Sequence, residues 1–259
     1  MCIRDRCGPG PPSGVTLPIM LVAAAVCPCP PLLVPEVAAG AAPELDAARA
    51  ACTDALGVLA AARPDRLVVV GPADEPGPES YPQGTPGTFR GFGVDLDVRL
   101  GADHDLESEG TGRGLPYGLA VGAWLLARSG WADAPVEGVG VGEALPAERC
   151  AAVGRDIAAR PGRLALLVLG DASACRTLKA PGYLDERAAP FDAEVARALG
   201  AADSAALAAL DVTLARELKA SGRAPWQVLA GAAGDAALAG TLLYEDAPYG
   251  VGYIVAAWS

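Results

Sequence analysis

With 259 residues, 52% of them hydrophobic, the chain has enough apolar material to bury a sizeable core, which excludes an intrinsically disordered protein. A formal net charge of −11 leaves no basic face to displace counterions, which excludes non-specific binding to nucleic acid or to anionic membranes. The seven cysteines, Cys2, Cys7, Cys27, Cys29, Cys52, Cys150 and Cys175, are odd in number and scattered, so a reducing cytoplasm fits better than a secreted disulfide framework.

Residues 1–19 have no periodicity and open on a hexapeptide that resembles translated adapter sequence, so they read as a non-native or disordered extension, with Met20 as the expected start. The rival reading is an export signal, with Arg4 and Arg6 ahead of an apolar run and Cys27 as a lipidated cysteine; Pro18 and the bulky Val26 speak against it. No segment reaches about 18 uninterrupted apolar residues, so no membrane span is expected.

From Met20 onward, short apolar runs alternate with longer helical ones, the pattern of βαβ architecture. Residues 21–26 read as a buried strand. Over residues 43–62, Leu45, Ala48, Cys52, Leu56 and Leu59 form one apolar helical stripe that Pro64 ends. Residues 67–70 read as a second strand. The Pro- and Gly-rich stretch 71–93 reads as a surface excursion or a lid, and residues 94–100 as a half-exposed strand.

Helices are then expected over 115–127 and 146–159, with strands at 136–141 and 164–169. Two more follow over 191–199 and 204–219, the latter carrying Leu207, Leu210, Leu214 and Leu218 on one side and capped by Asp203 or Ser204. A short buried helix at 226–233 and closing strands at 241–244 and 251–257 complete a single three-layer α/β domain over 20–259, with a mostly parallel or mixed central sheet flanked by helices.

In open α/β sheets the ligand crevice lies beyond the carboxyl ends of the strands, which directs attention to the loops after Val26, Val70 and Leu169. They read Pro28-Cys29-Pro30-Pro31, then Gly71-Pro72-Ala73, then Gly170-Asp171-Ala172-Ser173-Ala174. With Ala180-Pro181-Gly182-Tyr183, Phe191-Asp192 and the tail Tyr244 to Tyr253, this series resembles the class III extradiol ring-cleavage dioxygenases, B-subunit-like family, over about 20–259.

The resemblance implies Fe(II) held by two imidazoles and a carboxylate, with a further histidine moving protons. Its motifs are Pro-His-Pro-Pro, Ser-Pro-His and Gly-Asp-Leu-Ser-His, followed by a later glutamate. The equivalent positions here are Cys29, Ala73, Ala174 and Ala220. Alanine neither ligates a metal nor moves a proton, so no metal and no cofactor is expected at this site. The single histidine, His104, sits between Asp103 and Asp105 and reads as a solvated loop residue.

The residues left at the strand edge are Cys29, Glu36, Asp74, Glu75, Asp171 and Ser173. Cys29, Asp171 and Ser173 are the catalytic candidates of a rebuilt site. The bland alternatives are a space-filling thiol at Cys29, a turn cap at Asp171 and a turn-stabilising hydroxyl at Ser173. Trp124, Trp131, Trp226 and Trp258 are expected in the core. Three functions remain open: a pseudoenzyme that binds a small aromatic ligand, an enzyme with a rebuilt site, and an oligomeric scaffold. A homo-oligomer is compatible with any of them.

Overall fold

The computed structural model describes residues 20–101, 114–234 and 236–259. His104, Cys2 and Cys7 lie outside the described residues.

The chain opens with strand β1 (Met20–Cys27), a helical turn α1 (Pro35–Ala38) and helix α2 (Asp46–Ala61), then strand β2 (Arg66–Ala73). Three short strands follow, β3 (Glu79–Tyr81), β4 (Pro86–Thr88) and β5 (Asp97–Arg99). Helix α3 (Tyr117–Ser129), strand β6 (Val136–Gly142), helix α4 (Ala147–Ala158) and strand β7 (Arg163–Leu169) continue the alternation. Helices α5 (Ala188–Gly200), α6 (Ser204–Ala208), α7 (Val212–Glu217) and α8 (Arg223–Ala233) lead to the closing strands β8 (Gly240–Asp246) and β9 (Tyr253–Trp258).

Seven strands form one mixed sheet in the order β3-β6-β2-β7-β1-β9-β8. Its centre is parallel, β6-β2-β7-β1, and its flanks are antiparallel. Because strand side chains alternate faces, each central strand feeds two cores. On β7, Leu164, Leu166 and Val168 join α4, α5 and α8, while Ala165, Leu167 and Leu169 join α2 and α3. β2 divides likewise, Val68 and Val70 against Leu67 and Val69. Burial on both faces explains why these strands are continuously apolar. The fold is therefore the expected α/β class, a mixed sheet with helices on both sides.

The four tryptophans are all buried; Trp258 Nε1 donates to Leu199 O at 2.7 Å and Trp131 Nε1 to Ala134 O at 3.0 Å. No helix among the described residues is long and apolar enough to cross a membrane.

Four expectations need correction. The single helix read over 204–219 is two, because the Asp211 carboxylate accepts from Leu214 N at 2.8 Å and starts a new helix, just as Asp203 caps the first through Ala206 N. The helix read from residue 43 begins at Asp46, preceded by a 3₁₀ stretch at Ala39–Leu45 that contains Pro43. The stretch 71–93 is neither lid nor plain excursion: β2 runs on to Ala73, β3 adds an antiparallel edge to β6, and β4 pairs with β5. The strand read over 94–100 is only three residues long and belongs to that separate two-stranded sheet.

Candidate functional site

β1, β7 and β2 are neighbours in the sheet and end together, with Cys27 opposite Leu169 and Val70 opposite Val168. Their following loops therefore meet at one edge, where the segment leading into α8 joins them. Gly222 N donates to Asp171 O at 2.9 Å, and Ala174 N donates to Leu218 O at 2.8 Å. Two glycines make this approach possible: a β-carbon on Gly170 would stand 2.2 Å from the Gly222 Cα, and one on Gly222 would stand 2.2 Å from the Trp226 ring.

Asp171 is the hub. Its Oδ1 accepts from Cys29 N at 2.8 Å, and its own N–H donates to Ser221 Oγ at 3.0 Å. The Ser221 hydroxyl thus accepts from Asp171 and keeps its own hydrogen to donate, and its dipole holds down the pKa values of the Cys29 thiol and the Tyr117 phenol. Tyr117 is the first residue of α3 and is half-buried. Tyr253, from the start of β9, and Glu143, just past β6, bring their charges or dipoles to the same place.

The electrostatics follow from this crowding. Burial pushes the Asp171 carboxyl up to about 7, with the Cys29 amide pulling the other way. Burial also pushes the Cys29 thiol well up, and the carboxylates of Asp171 and Glu143 raise it further. Tyr117 and Tyr253 are raised by burial first and then by Asp171 and Cys29, in that order for Tyr253 and the reverse for Tyr117. At neutral pH the site offers a thiol, two phenols, a hydroxyl and a carboxyl near its midpoint.

The candidates read from the sequence fare differently. Cys29 and Asp171 do come together, but through the Cys29 backbone; its thiol is fully enclosed. Asp171 does not cap its own turn, since its carboxylate reaches a loop 142 residues away. Ser173 is not part of the site. It is fully buried, with N and Oγ both donating to Asp192 at 2.8 Å, and Arg176 Nη1 closes that cluster at 3.0 Å. Ala73, Ala174 and Ala220 are nearly buried, each 6–8% exposed, and Glu36, Asp74 and Glu75 are exposed.

Sequence reading missed Tyr117 and Ser221. Neither sits in a strand-end loop, and the only signal was their position at the entrance of a helix, Pro116-Tyr117 and Ser221-Gly222-Arg223.

The described residues contain no imidazole, and among them no group of three or more His, Cys, Asp or Glu side chains is placed to hold a metal ion. A protonated thiol and one carboxyl already bonded to an amide do not suit ferrous iron, which wants imidazole and carboxylate donors with open positions.

No family model and no curated protein matches the chain. Among solved structures it is similar to the uncharacterized protein JW3007 from Escherichia coli K12, with 14% sequence identity and a TM-score of 0.50. The match covers 92% of this chain and 99% of that one, so the likeness extends over nearly the whole fold. At that identity it speaks for architecture alone.

Proposed function

We propose that this chain is a class III extradiol dioxygenase-like protein that has lost Fe(II)-dependent ring cleavage and binds a small aromatic ligand without transforming it. The observation carrying this reading is the makeup of the loops that meet at the sheet's carboxyl edge. Where the family it resembles carries imidazoles and a carboxylate, this chain has Cys29, Ala73, Ala174 and Ala220, and the neighbouring Asp171 is bonded to Cys29 N. A hydroxylated ring suits what remains, because Asp171, Ser221 and Tyr117 present hydrogen-bonding groups beside small apolar side chains.

The enclosed, protonated Cys29 thiol argues against a rebuilt nucleophilic site, since reactive cysteines are exposed and depressed in pKa. A cytoplasmic setting agrees with Cys27, Cys29, Cys52, Cys150 and Cys175 being free thiols.

The test is anaerobic loading of the full chain with Fe(II), followed by iron quantification and an assay of catechol ring cleavage. The expected result is no stoichiometric iron and no cleavage, with a catechol-induced thermal shift that survives chelator. One equivalent of retained iron with turnover would overturn the proposal.

A further inference from the structure

A groove of about 590 Å³, open to solvent, runs between α5 and the two short helices α6 and α7. It shares no residue with the cluster around Asp171. Its floor is apolar: Phe191 and Leu210 reach it from the core, and Pro190, Ala206 and Leu214 complete it. Pro190, Phe191 and Glu194 fall on one face of α5, which makes one wall. The opposite wall exists because the chain breaks between α6 and α7, where Ala209, Leu210 and Asp211 all line the groove.

The rim is charged, and mostly of one sign. Glu186, Glu194 and Asp211 line it against one cation, Arg187. That guanidinium is already held by Asp185 at 2.7 Å and by Glu217 at 2.8 Å. Glu194 is neutralised by Arg197, which bonds its two oxygens at 2.6 and 3.0 Å. Glu186 and Asp211 are exposed and form no ion pair among the described residues. Asp211 spends one oxygen on Leu214 N at 2.8 Å and keeps the other.

Two unpaired carboxylates above an apolar floor are complementary to a molecule that is apolar along its body and positive at one end. Size narrows the class. The volume lies within the range of small-molecule sites, roughly 300–1,000 Å³. The α5 wall from Arg187 to Glu194 is about 10 Å long at the helical rise per residue, so an amphipathic helix of several turns would overrun it. We infer that the groove between α5, α6 and α7 binds a small hydrophobic ammonium. Its ring or chain lies on Phe191, Leu210 and Leu214, and its N–H groups donate to Glu186 and Asp211.

The experiment is calorimetric titration of the full chain at neutral pH with three probes of similar shape: 2-naphthylmethylammonium, 2-naphthylmethanol and 2-naphthoate. The ammonium should bind about fivefold more tightly than the alcohol, the gain of two solvent-accessible ion pairs, and the naphthoate most weakly. High salt should shrink the margin. Because the net charge of −11 attracts any cation, variants must locate the binding. Glu186→Gln combined with Asp211→Asn should bring the ammonium down to the level of the alcohol and leave the alcohol unchanged; asparagine still caps α7. Ala209→Trp, which puts an indole into the groove from an exposed position, should weaken ammonium and alcohol alike. Asp171→Asn, away from the groove, should alter neither. Equal binding of ammonium and alcohol would overturn the inference. So would a preference that survives the paired Glu186 and Asp211 substitutions, binding indifferent to Ala209→Trp, or failure of every probe to bind.

Discussion

Replacing Asp171 with asparagine tests the central electrostatic feature with little change of shape. Asparagine keeps an oxygen to accept from Cys29 N, now made at 2.8 Å, but cannot ionise. In the folded protein the Asp171 carboxyl is raised from 3.8 to about 7. The folded state therefore holds a proton that the unfolded chain has released, and stability declines as pH rises from about 4 to about 7, with the full deficit present above that. At about 1.4 kcal/mol per pH unit the upper bound is about 4 kcal/mol; since the residue is partly exposed, about 2 kcal/mol is the expected size. Urea unfolding of both proteins at pH 5, 6, 7 and 8 measures it. The asparagine variant should exceed the parent by about 0.7 kcal/mol at pH 5, a margin that grows to about 2 kcal/mol at pH 8. Two parallel pH profiles would refute the assignment, because groups common to both proteins cancel in the difference.

Gly170→Ala should cost about 1–3 kcal/mol in urea unfolding, since its β-carbon would meet the Gly222 backbone at 2.2 Å and neither chain can yield. Asp192→Ala should be at least as damaging, about 2–4 kcal/mol, because it strips the acceptor from Ser173 N, Ser173 Oγ and Arg176 together. Iodoacetamide labelling of the native protein at pH 8, read by peptide mass spectrometry, should leave Cys27, Cys29 and Cys52 unmodified. All three are fully enclosed, and Cys27 and Cys29 are raised in pKa, the former mainly through its contact with Cys52. Rapid labelling of Cys29 would revive a thiol chemistry for the site. Asp211→Ala should remove the cap of the seventh helix at a cost of about 1 kcal/mol and leave catechol affinity unchanged.

Local patterns in the chain determined most of the architecture. Runs such as Leu164 to Leu169 are apolar at every position because both faces of a central parallel strand are covered, and that property is written in consecutive residues. The scarcity of imidazole was legible too, because composition alone shows a single histidine. Tertiary structure decided whatever depends on partners distant in sequence. Cys29 and Asp171 meet across 142 residues and Asp171 and Ser221 across 50, so whether Asp171 would cap its own turn or staple two loops could not be read locally. The same holds for Ser173, which the buried Asp192 draws away from the crevice, and for Tyr117, which becomes a site residue only because α3 begins beside it. Short-range periodicity sets which face a side chain takes, whereas the contacts it makes there depend on how the separate elements pack together.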